Sequence, residues 1–319
     1  MYNIAIIGAG SIAGFQVQAF RSAGFEVVAA ASSKDSKTIK QFCNKHNIAE
    51  AFLDPRVLVF SEIWDAIYIS VPTKEALTYI DMLANCKKPI LVEKPVSLCS
   101  SDLLKKINLS NIRVAYNRRF YDGVKYIKNY LIENSENVLV KVCIPESSFR
   151  KNLNVQPSLP PLTYENSVHM FDLINFLCGE VTWKYKEIIH DKTGDNIKFI
   201  VGNGTSANSY KIMLDVYYDA TANFSMEFLT KNDQLILRPL EIMTHFRGFE
   251  VKEPTQEVPL RVYSLKKYHS IIEINSEGLK PGLLRQAKAF YNFCKGDLNT
   301  DLATLENAAN ALRSVENLL

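Results

Sequence analysis

The 319-residue sequence has no apolar run of membrane length: no segment approaches the ~20 uninterrupted apolar residues that a spanning helix needs. It has no surplus of one charge. Its 37 basic and 34 acidic residues are interspersed and leave a net charge of +3, so nothing electrostatic points to nucleic acid or an anionic membrane surface. Any anionic substrate must be recognised locally. There is no C-x-x-C pair among the cysteines at 43, 86, 99, 143, 178 and 294, which argues against a zinc site and a disulfide framework and for reduced thiols in a cytoplasmic protein. Low-complexity tracts are absent as well, and the apolar fraction of 47% with 22% charged residues is that of a folded globular chain. The first apolar run, Ile4-Ala5-Ile6-Ile7, follows Met1 too closely for a charged signal-peptide n-region and stops at Gly8, so no secretory signal is expected.

What is present is a rhythm. Up to about residue 120, β-rich apolar runs (Asn3–Ile7, Glu26–Ala31, Ala66–Ser70, Pro89–Val92, Ile112–Ala115) alternate with helical patterns near Ile12–Ala23, Ser36–His46, Lys74–Ala84 and Ser101–Ile107. That alternation builds parallel βαβ units with helices on both sheet faces. Beyond Arg119 the character changes. A helix near Gly123–Ile132 leads into Asn137–Cys143, a proline-rich loop at Val155–Pro161, and a helix over Glu165–Leu177 stopped by Gly179. From Thr182 to about Tyr263, runs such as Lys211–Tyr217, Ala222–Phe228 and Gln234–Arg238 read as antiparallel strands. Helices near Gly282–Cys294 and Leu302–Leu318 close the chain. The expected fold is α/β: a doubly wound parallel sheet over 1–118, then an α+β domain over 119–319 on an open, mainly antiparallel sheet, with closing helices able to pack back on the first domain.

Gly8-Ala9-Gly10-Ser11-Ile12-Ala13-Gly14 follows a predicted strand and opens a helix, the context in which a glycine fingerprint points to a dinucleotide. Gly8 permits the tight turn, Gly10 lets backbone meet pyrophosphate, and Ala13 is small enough for close helix–strand packing. Ser11 and Ile12 supply helix N-terminal N–H groups for the diphosphate. About 20 residues on, where a carboxylate would hold the ribose hydroxyls of NAD, the second strand ends in Ala31-Ser32-Ser33-Lys34. Two hydroxyls and an ammonium suit a 2′-phosphate, so the residues favour NADP over NAD, with Asp35 available to NAD if the strand ends later.

Glu93-Lys94-Pro95 directly follows a parallel-strand run, Trp64 to Thr73 holds a fourth strand with the tip Val71-Pro72-Thr73, and Ala115 to Phe120 forms a sixth-strand exit. Together with Glu165-Asn166-Ser167-Val168-His169-Met170-Phe171-Asp172, these motifs resemble the glucose-fructose oxidoreductase/inositol dehydrogenase/MocA family over residues 1 to about 180. Departures from that pattern are Glu165 for the usual Asp, Ser167 for Gly, Ala76 where a His is common, and Pro160-Pro161-Leu162-Thr163 in place of a glycine-rich lead-in.

The resemblance implies that the Lys94 ammonium hydrogen-bonds the reacting oxygen, that His169 exchanges its proton and that Glu165 orients the imidazole. It further implies that Glu93, Val71, Pro72, Thr73 and Asn117 lie beside the cofactor. The residue types agree, because hydride removal from an alcohol requires a base and a partner for the developing alkoxide. Glu165 and His169, four apart, share one helix face, with Asp172 near it. Arg118, Arg119 and Asp172 are substrate candidates; a metal site is not expected, since no second histidine or thiolate completes one.

The sequence is therefore expected to encode an NAD(P)-dependent dehydrogenase or reductase acting on the CH–OH or C=O of a sugar, cyclitol or nucleotide-linked sugar, with surface-polysaccharide synthesis as a setting. A homodimer or homotetramer is expected, because an open sheet face needs cover and the family pairs such faces. The alternatives are a non-catalytic dinucleotide-binding regulator, which would need neither Lys94 nor His169, and a reductase of another carbonyl or double bond, of the bile-pigment (biliverdin) or dihydrodiol type.

Overall fold

The computed structural model describes residues 1–32, 36–146, 167–194, 197–274 and 278–319. The first part of the chain runs β1 (Tyr2–Ile7), α1 (Ser11–Ala23), β2 (Phe25–Ala31), α2 (Ser36–His46), β3 (Glu50–Phe52), α3 (Pro55–Val59), β4 (Ala66–Ile69), α4 (Thr73–Met82), β5 (Ile90–Val92), α5 (Ser100–Leu104) and β6 (Ile112–Val114). It continues through α6 (Asp122–Glu133), β7 (Leu139–Glu146), α7 (Ser167–Cys178), β8 (Val181–His190), β9 (Ile197–Ser206), β10 (Lys211–Tyr218), β11 (Ser225–Leu229), β12 (Asp233–Leu237), β13 (Ile242–Lys252) and β14 (Val262–Ile272). Helices α8 (Leu283–Cys294) and α9 (Leu305–Leu318) end it. No helix among the described residues is long and apolar enough to cross a membrane.

The described residues group into two compact units, 1–120 with 167–173 and 278–315, and 121–146 with 174–274 and 316–319. In the first, six parallel strands lie in the order β3-β2-β1-β4-β5-β6. The order reverses between β1 and β4, so the loops leaving their carboxyl ends diverge and open a crevice at this switch point. Side chains alternate across the sheet. Ile4, Ile6, Val27, Ala30, Tyr68 and Leu91 face α1, α2 and α8, while Ala5, Ile7, Ala29, Ile67, Ile90 and Val92 face the side covered by α3, α4, α5 and α9. Phe25 of β2 stacks on Phe290 of α8 at 5.8 Å. Both faces are buried, which explains why these strands read as continuous apolar runs. Neither β3 nor α3 stands out in the sequence. The strand is three residues at the sheet edge, and the helix is one turn started by Pro55 and capped by Asp54, which accepts from the Arg56 N–H at 2.9 Å.

The second unit is an eight-stranded sheet, β14-β13-β12-β11-β7-β10-β9-β8, antiparallel except between β7 and β10. Along β10, Ile212, Leu214 and Val216 are buried while Lys211 and Met213 are exposed, the period-two pattern of a sheet with one covered face. Helix α6 lies close on this sheet: a Cβ at Gly123 would stand 2.8 Å from that of Met243, so any larger residue would lift the helix. Buried His245 of β13 is held by the Asp233 carboxylate at 2.7 Å and the Tyr126 hydroxyl at 2.9 Å, which ties α6 to β12 and β13. The alternation that marks β10 is weak in β8 and in the outer halves of β13 and β14, where both faces are exposed.

Candidate active site

The loop from β1 to α1 shows two glycines required for different reasons. Gly8 has φ 115°, and a Cβ there would come within 2.0 Å of the Ser70 carbonyl oxygen, because the tips of β1 and β4 meet here. Its N–H donates to the Ala31 carbonyl (2.8 Å), joining the tip of β2 as well. Gly10 differs. It caps α1 with φ −80° and ψ 175°, a conformation open to any residue, and a Cβ would meet no described atom within 4 Å. No side chain caps the helix and its first turn holds no acid, so the N–H groups and the dipole's positive end face outward beside exposed Ser11 and Ile12. Ala13 is fully buried, as the third fingerprint position requires. Gly14 lets α2 approach, a Cβ there lying 3.0 Å from the His46 ring.

Other candidates sit at carboxyl ends of the same strands. Ser32, 6% exposed, follows β2 and donates its N–H to Phe52 (3.3 Å); Ser33 and Lys34 lie outside the described residues, as does Glu165. Half-buried Val71 leaves β4, exposed Pro72 immediately precedes α4, and Thr73 begins it. Ala76, where a histidine is common in the family, points into the core beneath α4.

Glu93 and Lys94 leave β5. The Tyr68 hydroxyl donates to Glu93 Oε1 at 2.5 Å, and the Lys94 main-chain N–H faces Oε2 at 3.3 Å. Burial pushes the Glu93 carboxyl above its usual range, opposed by Tyr68 and by the Lys94 charge. Helix α7 carries His169 to the same region, 5% exposed, with the Tyr116 ring edge-on at 5.6 Å. Burial, then the cations of Lys94 and Arg118, hold the His169 imidazole well below the usual histidine range. Its Nδ1 has no hydrogen-bond partner among the described residues.

Arg119 and Asp172, both read as substrate candidates, engage each other. The guanidinium donates from Nε (2.8 Å) and Nη2 (2.6 Å) to the two carboxylate oxygens, a bidentate pair with 5% and 1% exposure. Asn117 is also engaged, its amide donating to the Pro281 carbonyl at 3.0 Å. The residues drawn together around His169 are thus Lys94, Arg118 and Tyr116. Tyr68, Gln16 and Gln286 escaped the sequence reading, although each interrupts an apolar face. Gln16 sits among Ala13, Val17 and Phe20 on α1, and Gln286 among Leu283, Ala287 and Phe290 on α8.

An uncapped, glycine-rich helix start at the strand tips of a doubly wound parallel sheet, with a lysine and a histidine of depressed proton affinity in the same unit, is an arrangement that suits a dinucleotide and proton transfer. The model of the oxidoreductase family with an NAD-binding Rossmann fold matches residues 2–110. The match is confined to the N-terminal part of the chain and agrees with the resemblance read from the sequence. The chain is similar to the uncharacterized oxidoreductase YrbE of Bacillus subtilis, 31% identical over 195 residues, 56% of this chain and 55% of that protein. It is also similar to myo-inositol 2-dehydrogenase of Thermotoga maritima, 23% identical over 192 residues with the same coverages. These matches span about half the length of either relative. In fold it resembles scyllo-inositol dehydrogenase of Lactobacillus casei, solved with NAD(H) and scyllo-inositol (16% identity, TM-score 0.74, 100% and 96% of the two chains). UDP-N-acetylglucosamine 3-dehydrogenase of Acidithiobacillus ferrooxidans is likewise similar (13% identity, TM-score 0.73, 99% and 96%).

Proposed function

We propose that this protein is an NAD(P)-dependent oxidoreductase that interconverts a CH–OH and a C=O of a sugar, cyclitol or sugar derivative. The observation that carries the reading is Gly10: nothing in the packing of the described residues asks for glycine there, while a diphosphate approaching the α1 N-terminus would. The residues fit such a cofactor, with Gly8, Gly10, Ser11 and Ile12 at the diphosphate, Ser32, Ser33 and Lys34 at the adenosine ribose, and Val71, Pro72, Thr73 and Glu93 toward the nicotinamide. With Ser32-Ser33-Lys34 in the sequence place where a carboxylate would serve NAD, NADPH is the favoured form.

The cofactor, when bound, exchanges hydride with the substrate carbon. The protein's part is proton chemistry and charge. The depressed proton affinity of His169 leaves the imidazole neutral at pH 7, ready to take the hydroxyl proton in the oxidative direction. Lys94 and Arg118, whose charges both reach this imidazole, stabilise negative charge developing on the oxygen. Glu165, four residues before His169, orients the ring. Asp172 and Arg119 position this region instead of touching substrate. Asn117 anchors the strand exit.

The two cations near His169 also favour a sugar bearing an anionic group, such as a nucleotide-linked or acidic sugar of surface-polysaccharide synthesis. The exposed sheet face carrying Tyr185, Met213 and Tyr217 is proposed to pair in a homodimer or homotetramer, to be checked by light scattering. The deciding experiment is fluorescence titration with NADH and NADPH, repeated on Lys34→Ala. Preference for NADPH that the variant loses supports the phosphate site, a preference for NADH overturns it, and binding of neither overturns the oxidoreductase reading.

A further inference from the structure

Gln16, Tyr68 and Gln286 are each 0% exposed, on elements whose neighbouring inward residues are apolar. A buried polar group costs free energy unless it is hydrogen-bonded, and an apolar residue of similar volume would serve packing as well. Tyr68 makes the point sharply. Its ring packs edge-on against Phe20 at 5.3 Å, a contact phenylalanine would reproduce, so the hydroxyl is left to account for, and it donates to Glu93 at 2.5 Å. Gln16 of α1 donates its side-chain N–H to Gln286 Oε1 of α8 at 3.1 Å, so these two buried amides engage each other. The Tyr68 hydroxyl is engaged with Glu93, and it holds the carboxylate that also faces the Lys94 main-chain N–H.

We propose that Tyr68 is a positioning residue of the hydride-transfer centre: its hydroxyl fixes the Glu93 carboxylate beside Lys94. This rests on the proposed function, in particular on Glu93 holding the nicotinamide ribose. Tyr68→Phe keeps the ring and removes the donor, so Glu93 can swing away and only the nicotinamide end of the cofactor loses its support. The adenosine diphosphate end, held by Gly8 to Ile12, keeps its own.

The test is titration of the full chain with NADH and with ADP-ribose, which lacks the nicotinamide. Native protein is expected to bind both. Tyr68→Phe is expected to bind NADH about tenfold more weakly, the effect of losing one hydrogen bond to a charged group, with ADP-ribose within about twofold of native. Its NADH affinity should also fall as the pH is lowered, because losing the donor raises the proton affinity of the buried carboxyl further. Unchanged NADH affinity, or equal losses for both ligands at an unchanged melting temperature, overturns the proposal while leaving the cofactor reading standing. Failure of native protein to bind either ligand removes both. Should Tyr68→Phe not fold, Glu93→Gln, which keeps the Tyr68 ring and weakens the same bond by removing the charge of its acceptor, must show the same selective loss of NADH; its absence overturns the proposal.

Discussion

Asp172→Ala separates a structural ion pair from a substrate contact. The carboxylate, 1% exposed, accepts both arms of Arg119, itself 5% exposed, and the same guanidinium reaches the Asp301 carbonyl and Asn307 Oδ1 at 3.4 Å. Removing the carboxylate leaves a buried cation that has lost its counter-charge, a defect that costs about 3–5 kcal/mol. Against a typical stability of about 5–15 kcal/mol this is large, and it corresponds to a melting temperature lower by about 10 °C. Thermal and urea unfolding would measure it, with NADH titration at low temperature alongside. Because the pair faces inward, NADH affinity of the folded variant should stay within about twofold, less than one ordinary hydrogen bond. Replacing both partners, Arg119→Met with Asp172→Leu, should recover a substantial part of the loss, since no charge then remains buried. A single-variant loss under about 1 kcal/mol, or strict additivity in the double variant, would refute a buried bidentate pair.

Gly10→Ala should leave the melting temperature unchanged and weaken NADH binding about tenfold or more, as expected when a Cβ blocks backbone approach to the diphosphate; Gly8→Ala, driven into the Ser70 carbonyl, should instead yield little folded protein, as circular dichroism would show. With myo-inositol and scyllo-inositol as probe polyols, Lys94→Ala and His169→Gln should each lower kcat about 10²–10⁴-fold while retaining NADH binding, so full turnover in either variant would remove that residue from the chemistry. The depressed proton affinity of His169 means that the unfolded chain takes up a proton below pH ~6.5 that the folded chain resists. Stability should therefore be unaffected above that pH and fall by about 1.4 kcal/mol per unit below it until the folded-state value is reached. His169→Gln should flatten that slope in melting curves recorded from pH 7 down to pH 5, and an equally steep slope in the variant would place the acid sensitivity elsewhere.

Sequence alone determined the parts of this protein that rest on local rules. Strands buried on both faces read as apolar runs, the fingerprint announced itself by its place between strand and helix, and the motif order from Gly8 to Asp172 carried the family resemblance. Lys94 and His169 stood out as candidates because their residue types suit proton chemistry, and the structure brings the Lys94 charge to the His169 imidazole. Short or two-faced elements escaped. Three residues of β3 give no period, and the outer halves of β13 and β14 bury neither face. Only the tertiary structure decided which polar residues meet. Arg119 and Asp172 are 53 residues apart in sequence and share two hydrogen bonds, while Gln16 and Gln286 are 270 apart and touch. Periodicity shows that a side chain faces inward; it is strand order and helix packing that choose its partner, as for Tyr68, Gln286 and Asp172.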